Sequence, residues 1–507
     1  MHCRITERKL RAFLAGAALS VALTGAASAM PLNAVSLESN FRAAEEVSGH
    51  EVQQALKPYL GREITADLLE DVLAEVSRYY RTHGHGMARA FCPEQILSHG
   101  VLSVYVHDPV VRGVSIEDDG VLTEGAGERL FKRVREADGQ ALSSGEMENA
   151  LLRLADLGTL NLKGELNDRS LDPALTVRVS EALPRELTLF TDNHGTKASG
   201  EYRFGGMARL GNLTGNADLL SLFYARSSHR QNSYSAAYVF PVNSAPTRLG
   251  VSVCLSDYEL GREYEALGAE GSCMSYEAWL THPVFRTPRA RVELTGGLRC
   301  RELEDRFTEF DLAFEKTTEA GYLNAAAAFL IGKESALSLD TTLTAGRLDC
   351  KEDEFSLCGD SSYALLNLSA ALRVPLTQGL ALTAEAEGQL ASSDLDSSEH
   401  FVASGATGVN AYDSSVASGD EGYLLKAGLE YRPLSTLNLT LGPVLTTACV
   451  YDESLNESLR LHAAGLEAEL KAHGLSLRLS AAHALGSLPQ GVTDEGQVWC
   501  SVSYAFA

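Results

Sequence analysis

From Pro184 to the C-terminus, apolar and polar residues alternate with a period of two. A helix repeats every 3.6 residues, whereas a strand places successive side chains on opposite faces, so this stretch reads as strand after strand. Leu366, Leu368, Ala370, Leu372 and Val374 alternate with Asn367, Ser369, Ala371 and Arg373, and Leu380, Leu382, Ala384 and Ala386 alternate with Thr383, Glu385 and Glu387. Val498, Cys500, Val502, Tyr504 and Phe506 end the chain in the same rhythm. Tight turns such as Arg286-Thr287-Pro288-Arg289 and Thr377-Gln378-Gly379 trade places with long polar stretches such as 391–420 and 451–458.

Short turns at one end and long loops at the other are the pattern of an up-and-down transmembrane barrel. Pairing each turn with the next loop gives about sixteen antiparallel strands, with 304–317 counted as an outer loop and another hairpin as the alternative there. A soluble β-sandwich also alternates, but it would bury its apolar faces in a shared core and rarely extends over a region this long. No stretch reaches the roughly 20 apolar residues of a spanning helix, which leaves a barrel untouched because its hydropathy averages out.

The N-terminus sets the compartment. Arg4, Arg8, Lys9 and Arg11 precede an apolar run from Ala12 to Leu23 and the small residues Ala27-Ser28-Ala29. This is the layout of a secretory signal peptide over 1–29 with cleavage after Ala29. The formal charge of −24 gives no support to nucleic-acid binding, which needs clustered Lys and Arg. Cys350 and Cys358 flank a short acidic stretch and are spaced to close a small loop by a disulfide, although sequence leaves the connectivity open.

Between signal and barrel, helical and strand periods alternate in two cycles, assigned to 30–109 and 110–183. In the first, Thr65 is a good N-cap, and Leu68, Leu69, Val72, Leu73, Val76 and Tyr80 recur at helical spacing behind it. Strands follow at Met87 to Phe91 and Val101 to His107. The order strand-helix-helix-strand-strand then repeats, which makes two small sheets, each covered by two helices.

These residues resemble the two-partner secretion transporters, the haemolysin and filamentous-haemagglutinin exporters of the Omp85 superfamily, and the repeat resembles the POTRA domain. Tyr80-Arg81-Thr82-His83-Gly84, Pro93-Glu94-Gln95-Ile96 and Gly100-Val101-Leu102 follow the family's "YR..G … P.Q.i..G.l.i.v" order. Asp192-Asn193-His194-Gly195 with Ser199-Gly200 is similar to its "DN.G…tG" first hairpin at the barrel entrance. Val409-Asn410-Ala411-Tyr412 and Gly419-Asp420-Glu421-Gly422 match the frame of its lumen-folded loop, "VRG(Y/F) … GD.G".

The family's Arg-Gly is here Asn410-Ala411. The acidic residue that usually pairs with that Arg falls at Thr447. Losing one member of a buried pair costs about 3–5 kcal/mol, whereas replacing both can be nearly neutral. The double change therefore implies a re-tooled loop anchor. The family's plug helix has too few residues ahead of the first strand.

The resemblance implies an outer-membrane barrel over 184–507, with loop 391–420 in its lumen, fed by two periplasmic POTRA domains. It implies export of a large partner protein carrying a two-partner-secretion domain. An Omp85-type barrel-assembly insertase is the alternative. Outer-membrane lipid, and barrel-assembly machinery during biogenesis, are the other implied partners. The client-binding residues would be an edge of the first POTRA near Val101, Val104 and Val106, with Pro93 and Gln95 from the motif.

Enzyme chemistry finds little support. Gly359-Asp360-Ser361 has the start of an esterase motif but no Asp-x-x-His follows in a suitable place. His83 and His85 straddle a turn without a metal-ligand pattern. Glu385, Glu387, Glu467 and Glu469 fit a wet lumen better than an acid–base pair. No catalytic residue, cofactor or metal site is assigned.

Overall fold

The computed structural model describes residues 30–506 apart from 41–48, 84, 86, 96, 98, 109–112, 137–143, 168–173, 183–184, 333, 352–360, 434–437 and 453–455. The expected signal peptide, the junctions at 109–110 and 183–184, Cys358 and Gly359-Asp360 lie outside the described residues. Cys350 is disulfide-bonded. The chain divides into two compact units. One is built on the small sheets (to Gly120, Phe131–Ala155 and Asn161–Ser180), the other on the barrel (Val121–Leu130, Asp156–Leu160 and from Glu181).

The first small sheet holds β1 (Ala34–Ser39), β2 (Arg89–Phe91) and β3 (Val101–His107), with α1 (Gly49–Leu56) and α2 (Ala66–Thr82) between β1 and β2. Thr65 caps α2, its Oγ1 accepting from the Leu68 N–H at 3.2 Å. The helical stripe Leu68, Leu69, Val72, Val76 and Tyr80 is buried in one core with Leu102, Val104 and Val106 of β3. Each such aliphatic side chain contributes about 1.5–3 kcal/mol by leaving water.

The strand order is β1-β3-β2, with β1 parallel and β2 antiparallel to β3. This corrects the expected client edge. β3 is the central strand, so Val101, Val104 and Val106 offer no free ladder, and Val104 and Val106 are fully buried. The second sheet repeats the plan with β4 (Val114–Asp118), α3 (Glu124–Glu136), α4 (Ser144–Ala155), β5 (Leu160–Asn167) and β6 (Ala174–Glu181), in the order β4-β6-β5.

Sixteen antiparallel strands then close into a barrel. They are β7 (Glu186–Asp192), β8 (Arg203–Gly211), β9 (Leu219–Ser227), β10 (Asn232–Pro241), β11 (Arg248–Glu259), β12 (Ala269–Thr287), β13 (Ala290–Phe307), β14 (Leu312–Ile331), β15 (Ser335–Cys350), β16 (Ser361–Thr377) and β17 (Leu380–Ala391). After β17, two short strands within the long loop, β18 (Phe401–Val402) and β19 (Ser418–Gly419), pair with each other. The wall resumes with β20 (Glu421–Tyr431), β21 (Asn438–Asp452), β22 (Glu457–Ala472), β23 (Leu475–Ala484) and β24 (Gly496–Phe506). β24 pairs with β7 and shuts the seam.

The stretch 304–317 is not the loop that was expected. β13 and β14 run on through it, with Glu304 opposite Glu315 and Arg306 opposite Ala313, and turn over 308–311. Charged residues at both alternating positions hide a strand from pattern reading, yet they suit a hairpin with ion pairs such as Arg306–Glu304 on its surface.

The apolar side of the alternation faces outward. Leu298, Leu323, Leu466, Val498 and Leu445 are 70, 67, 65, 61 and 59% exposed. A shell of this kind in water would aggregate, so it requires hydrocarbon around it. Tyr431, Tyr504 and Phe506 stand exposed near the tight-turn rim, and Phe204, Tyr224, Tyr234 and Tyr423 toward the other, as interfacial girdles do. Glu385, Glu387, Glu467 and Glu469 alternate onto the inner face, where Glu467 pairs with Lys426 and Glu469 with Arg478. Among the described residues no helix is long and apolar enough to cross a membrane.

Candidate functional site: a loop stretched across the barrel lumen

The segment between β17 and β20 folds back into the barrel. Ala403, Val409, Ala411, Tyr412 and Ala417 are at most 2% exposed. They form one core with the inward residues Leu424, Ala448, Val450, Leu461, Ala463, Ala482 and Ala484 of β20 to β23. Residue type explains the placement: the inward positions of β20 to β23 that pack on the loop tip include Leu, Val and Ala, which suit an apolar contact.

The tip is fixed by hydrogen bonds as well as packing. Asn410 Nδ2 donates to Ser480 Oγ of β23 at 2.8 Å, and Trp499 Nε1 of β24 donates to the Asn410 carbonyl oxygen at 2.8 Å. Asn410 Oδ1 is buried and has no hydrogen-bond partner among the described residues.

The neck of the loop is latched to the opposite wall by charge. Glu399, 7% exposed at its side chain, accepts from Arg299 Nη2 at 3.0 and 3.2 Å and from Arg301 Nη1 at 3.0 Å, both on β13. Tyr363 Oη of β16 donates to the same carboxylate at 3.0 Å. Asp396 accepts from Lys316 Nζ of β14 at 2.8 Å. Burial alone would raise the Asp396 carboxyl, but Lys316 and Ser398 outweigh it and hold it below the usual range.

The two limbs of the loop are tied to each other. Asp420 Oδ1 accepts from the Leu395 N–H at 2.8 Å, with His400 Nε2 at 3.4 Å. Gln389 Nε2 donates to the carbonyls of both Glu399 and Asp420 at 2.9 Å. Gly419 has no room for a side chain, since a Cβ would stand 2.6 Å from the Tyr451 carbonyl oxygen. Charge thus holds one side of the barrel and apolar packing the other, and the loop bridges them.

Three sequence expectations change here. Thr447 does not face the loop: on β21 Val444, Thr446, Ala448 and Val450 point inward, and Thr447 Oγ1 lies 2.8 Å from His462 Nδ1 on the outer face. The inward neighbour is Thr446, one residue earlier, and a slip of one residue reverses the face. Sequence reading also missed Glu399, Arg299, Arg301 and Trp499. Nothing in a linear pattern joins Glu399 to arginines about a hundred residues away.

The segment Asp192-Asn193-His194-Gly195 is first along the barrel chain, but it lies at the rim away from β7's start, the rim of the long loops. Arg203 Nε and Nη2 grip Asp192 at 2.8 and 3.0 Å. A Cβ on Gly195 would stand 1.9 Å from the Gly200 carbonyl oxygen, so only glycine fits.

In the first small sheet, Gln95 is spent on its own chain. Its Nε2 donates to the Ser103 carbonyl at 2.7 Å and its Oε1 accepts from the Ser103 N–H at 2.8 Å, covering β3 beyond the end of β2. The carbonyl of Pro93 accepts from the same Nε2 at 3.3 Å. His83 stacks on Tyr79 at 4.1 Å, while His85 Nδ1 contacts Asp108 Oδ2 at 2.8 Å, so the two imidazoles are engaged separately.

Comparison with known proteins agrees with this architecture. The family model described as haemolysin secretion/activation protein ShlB/FhaC/HecB matches residues 174–447, and that described as POTRA domain, ShlB-type, matches 31–108. The heme/hemopexin transporter protein HuxB of Haemophilus influenzae is 23% identical over 490 residues, covering 91% of this chain and 85% of its own. Outer membrane transporter CdiB of an Escherichia coli strain is 22% identical over 408 residues, covering 77% and 68%. The solved structure of CdiB from Escherichia coli superposes with a TM-score of 0.71 at 19% identity over 98% of this chain and 96% of that one. BamA from Haemophilus ducreyi, lacking POTRA domains 1-3, gives 0.54 at 13% identity over 94% and 100%.

Proposed function

Because the chain belongs to the haemolysin secretion/activation protein family ShlB/FhaC/HecB, it is an outer-membrane transporter of two-partner secretion, and we propose that one extended passenger protein passes through the barrel once the lumen loop is displaced. The observation that carries this reading is the loop itself, held to one wall by Glu399 and to the other by Val409 to Tyr412. A passage blocked at rest keeps the outer membrane sealed, and two separate anchorages allow stepwise release.

Capture begins in the periplasm. The partner is a secreted protein with a two-partner-secretion domain, bound by strand addition to a POTRA edge. β1 is the edge that suits this. Its Ala34 and Asn40 N–H groups donate to β3, so the peptide groups of Val35 and Leu37 point the other way. Gln53 Nε2 occupies the Val35 carbonyl at 2.8 Å. By contrast, Ser77 Oγ accepts from the Ala90 N–H and Arg81 donates to the Ala88 carbonyl, which covers β2.

The periplasm holds no ATP and nothing in the chain resembles a nucleotide loop, so folding of the passenger outside supplies the direction. Barrel-assembly machinery inserts the transporter itself, and outer-membrane lipid surrounds it. The barrel-assembly alternative has only the fold in its favour. Deleting 405–418 will raise single-channel conductance in planar bilayers or abolish export, and a deletion that leaves both unchanged refutes the plug.

A further inference from the structure

The seam between β24 and β7 is short. Six residue pairs hold it, from Ser501 opposite Asp192 to Phe506 opposite Leu187, whereas the other side of β24 makes nine pairs with β23. The outer half of β24 therefore continues past the end of β7.

Asn193, the next residue, fills the gap with its side chain. Its main-chain N–H donates to the Cys500 carbonyl at 3.2 Å. Its Oδ1 accepts from the Cys500 N–H at 2.7 Å and its Nδ2 donates to the Val498 carbonyl at 2.8 Å. A carboxamide carries the donor and acceptor of a peptide group, so Asn193 supplies the rungs that β7 no longer provides. Its base is rigid, because Asp192 is gripped by Arg203 and accepts from the His194 N–H at 3.0 Å.

Between the two clasped residues stands Trp499. Its side chain points into the lumen, 5% exposed, and its indole N–H donates to the Asn410 carbonyl at the loop tip. The His194 ring lies edge-on to the indole, 5.8 Å between centroids. One three-residue piece of β24 thus touches the seam on one edge and the gate on one face.

We propose that Asn193 is a positioning residue of the gate: its carboxamide holds Val498–Cys500 in the seam so that the Trp499 indole stays aimed at the Asn410 carbonyl, coupling seam closure to loop closure. Without the clasp this piece of β24 is an edge held by β23 alone. A hydrogen bond at 2.8 Å is lost once the donor drifts by less than 1 Å, so slight fraying frees the loop tip. The inference rests on the lumen loop being the gate.

The test uses the full chain in detergent and in planar bilayers, with Asn193→Ala, Asn193→Asp and Trp499→Phe beside the 405–418 deletion. Heat-modifiable gel mobility first selects variants whose barrel is closed. Asn193→Ala is expected to speed amide exchange at Cys500 about tenfold and to raise the open fraction of the channel. Asn193→Asp keeps the acceptor for Cys500 and loses the donor to Val498, so it falls between wild type and Ala on both readouts. Trp499→Phe raises the open fraction with exchange at Cys500 unchanged. Faster exchange in Asn193→Ala without a change in the open fraction overturns the coupling, and unchanged exchange overturns the clasp. If the loop deletion alters neither conductance nor export, the gate reading has failed, and the exchange result still decides whether Asn193 clasps the seam.

Discussion

Two amides and one carboxylate show how much single side chains do here. Gln95 and Asn193 both use a carboxamide as a surrogate peptide group, one completing β3 and the other the barrel seam. Glu399 gathers two guanidiniums and a phenol while its side chain is 7% exposed. Glu399→Gln leaves those cations facing a neutral amide and removes charge-assisted hydrogen bonds of about 1.5–3 kcal/mol. The expected outcome is a roughly ten- to hundredfold rise in channel open probability, read from single-channel records; an unchanged value means that the latch does not hold the loop. Asp396 adds a pH dependence. Its carboxyl titrates lower when latched than when free, so the latch is complete above the ordinary carboxylate range and is lost as pH falls through the depressed value. Channel opening should therefore increase on acidification below the ordinary carboxylate range. Asp396→Asn should be open more often at neutral pH and lose that acid limb.

At the scale of elements, the order of strands decides what each can do. β3 is paired with β1 along its length and with β2 at Tyr105–His107, and Gln95 takes the Ser103 peptide group, so it is a poor strand for a client to join however suitable its sequence. β1 pairs with β3 on one side only, and its peptide group at Leu37 faces the other side. Leu37→Pro removes the N–H from this edge without touching the β1–β3 ladder. Secretion of the partner should fall well below that of Leu37→Ala, the control for the lost side chain, at equal amounts of transporter in the membrane. Export equal in the two variants would remove β1 as the capture edge. The barrel strands obey the same logic of faces: one residue of displacement turns Thr447 outward and puts Thr446 beside the loop.

For the whole molecule, the inverted distribution of polarity is the central fact. Leucines face out, ion pairs face in, and a loop with its own apolar core crosses the lumen. Secretion across the inner membrane must come first. Protein extracted from outer membranes should begin at Met30, as N-terminal mass spectrometry will show; an intact Met1 would withdraw the signal-peptide assignment.

The sequence by itself determined the barrel, a count of about sixteen strands and the two α/β units, because periodicity and turn residues are local properties that each stretch carries alone, whereas the frame of the lumen loop came from the family resemblance. It failed at 304–317, where charges on both strand faces conceal the alternation. Tertiary structure alone decided the order of strands in the small sheet, the inward or outward sense of β21, and the partners of Glu399, Asn193 and Trp499. Those contacts join residues from 36 to 307 positions apart, brought together only when the barrel closes. The resemblance therefore implied a loop folded into the lumen, and only closure of the barrel showed which residues hold it.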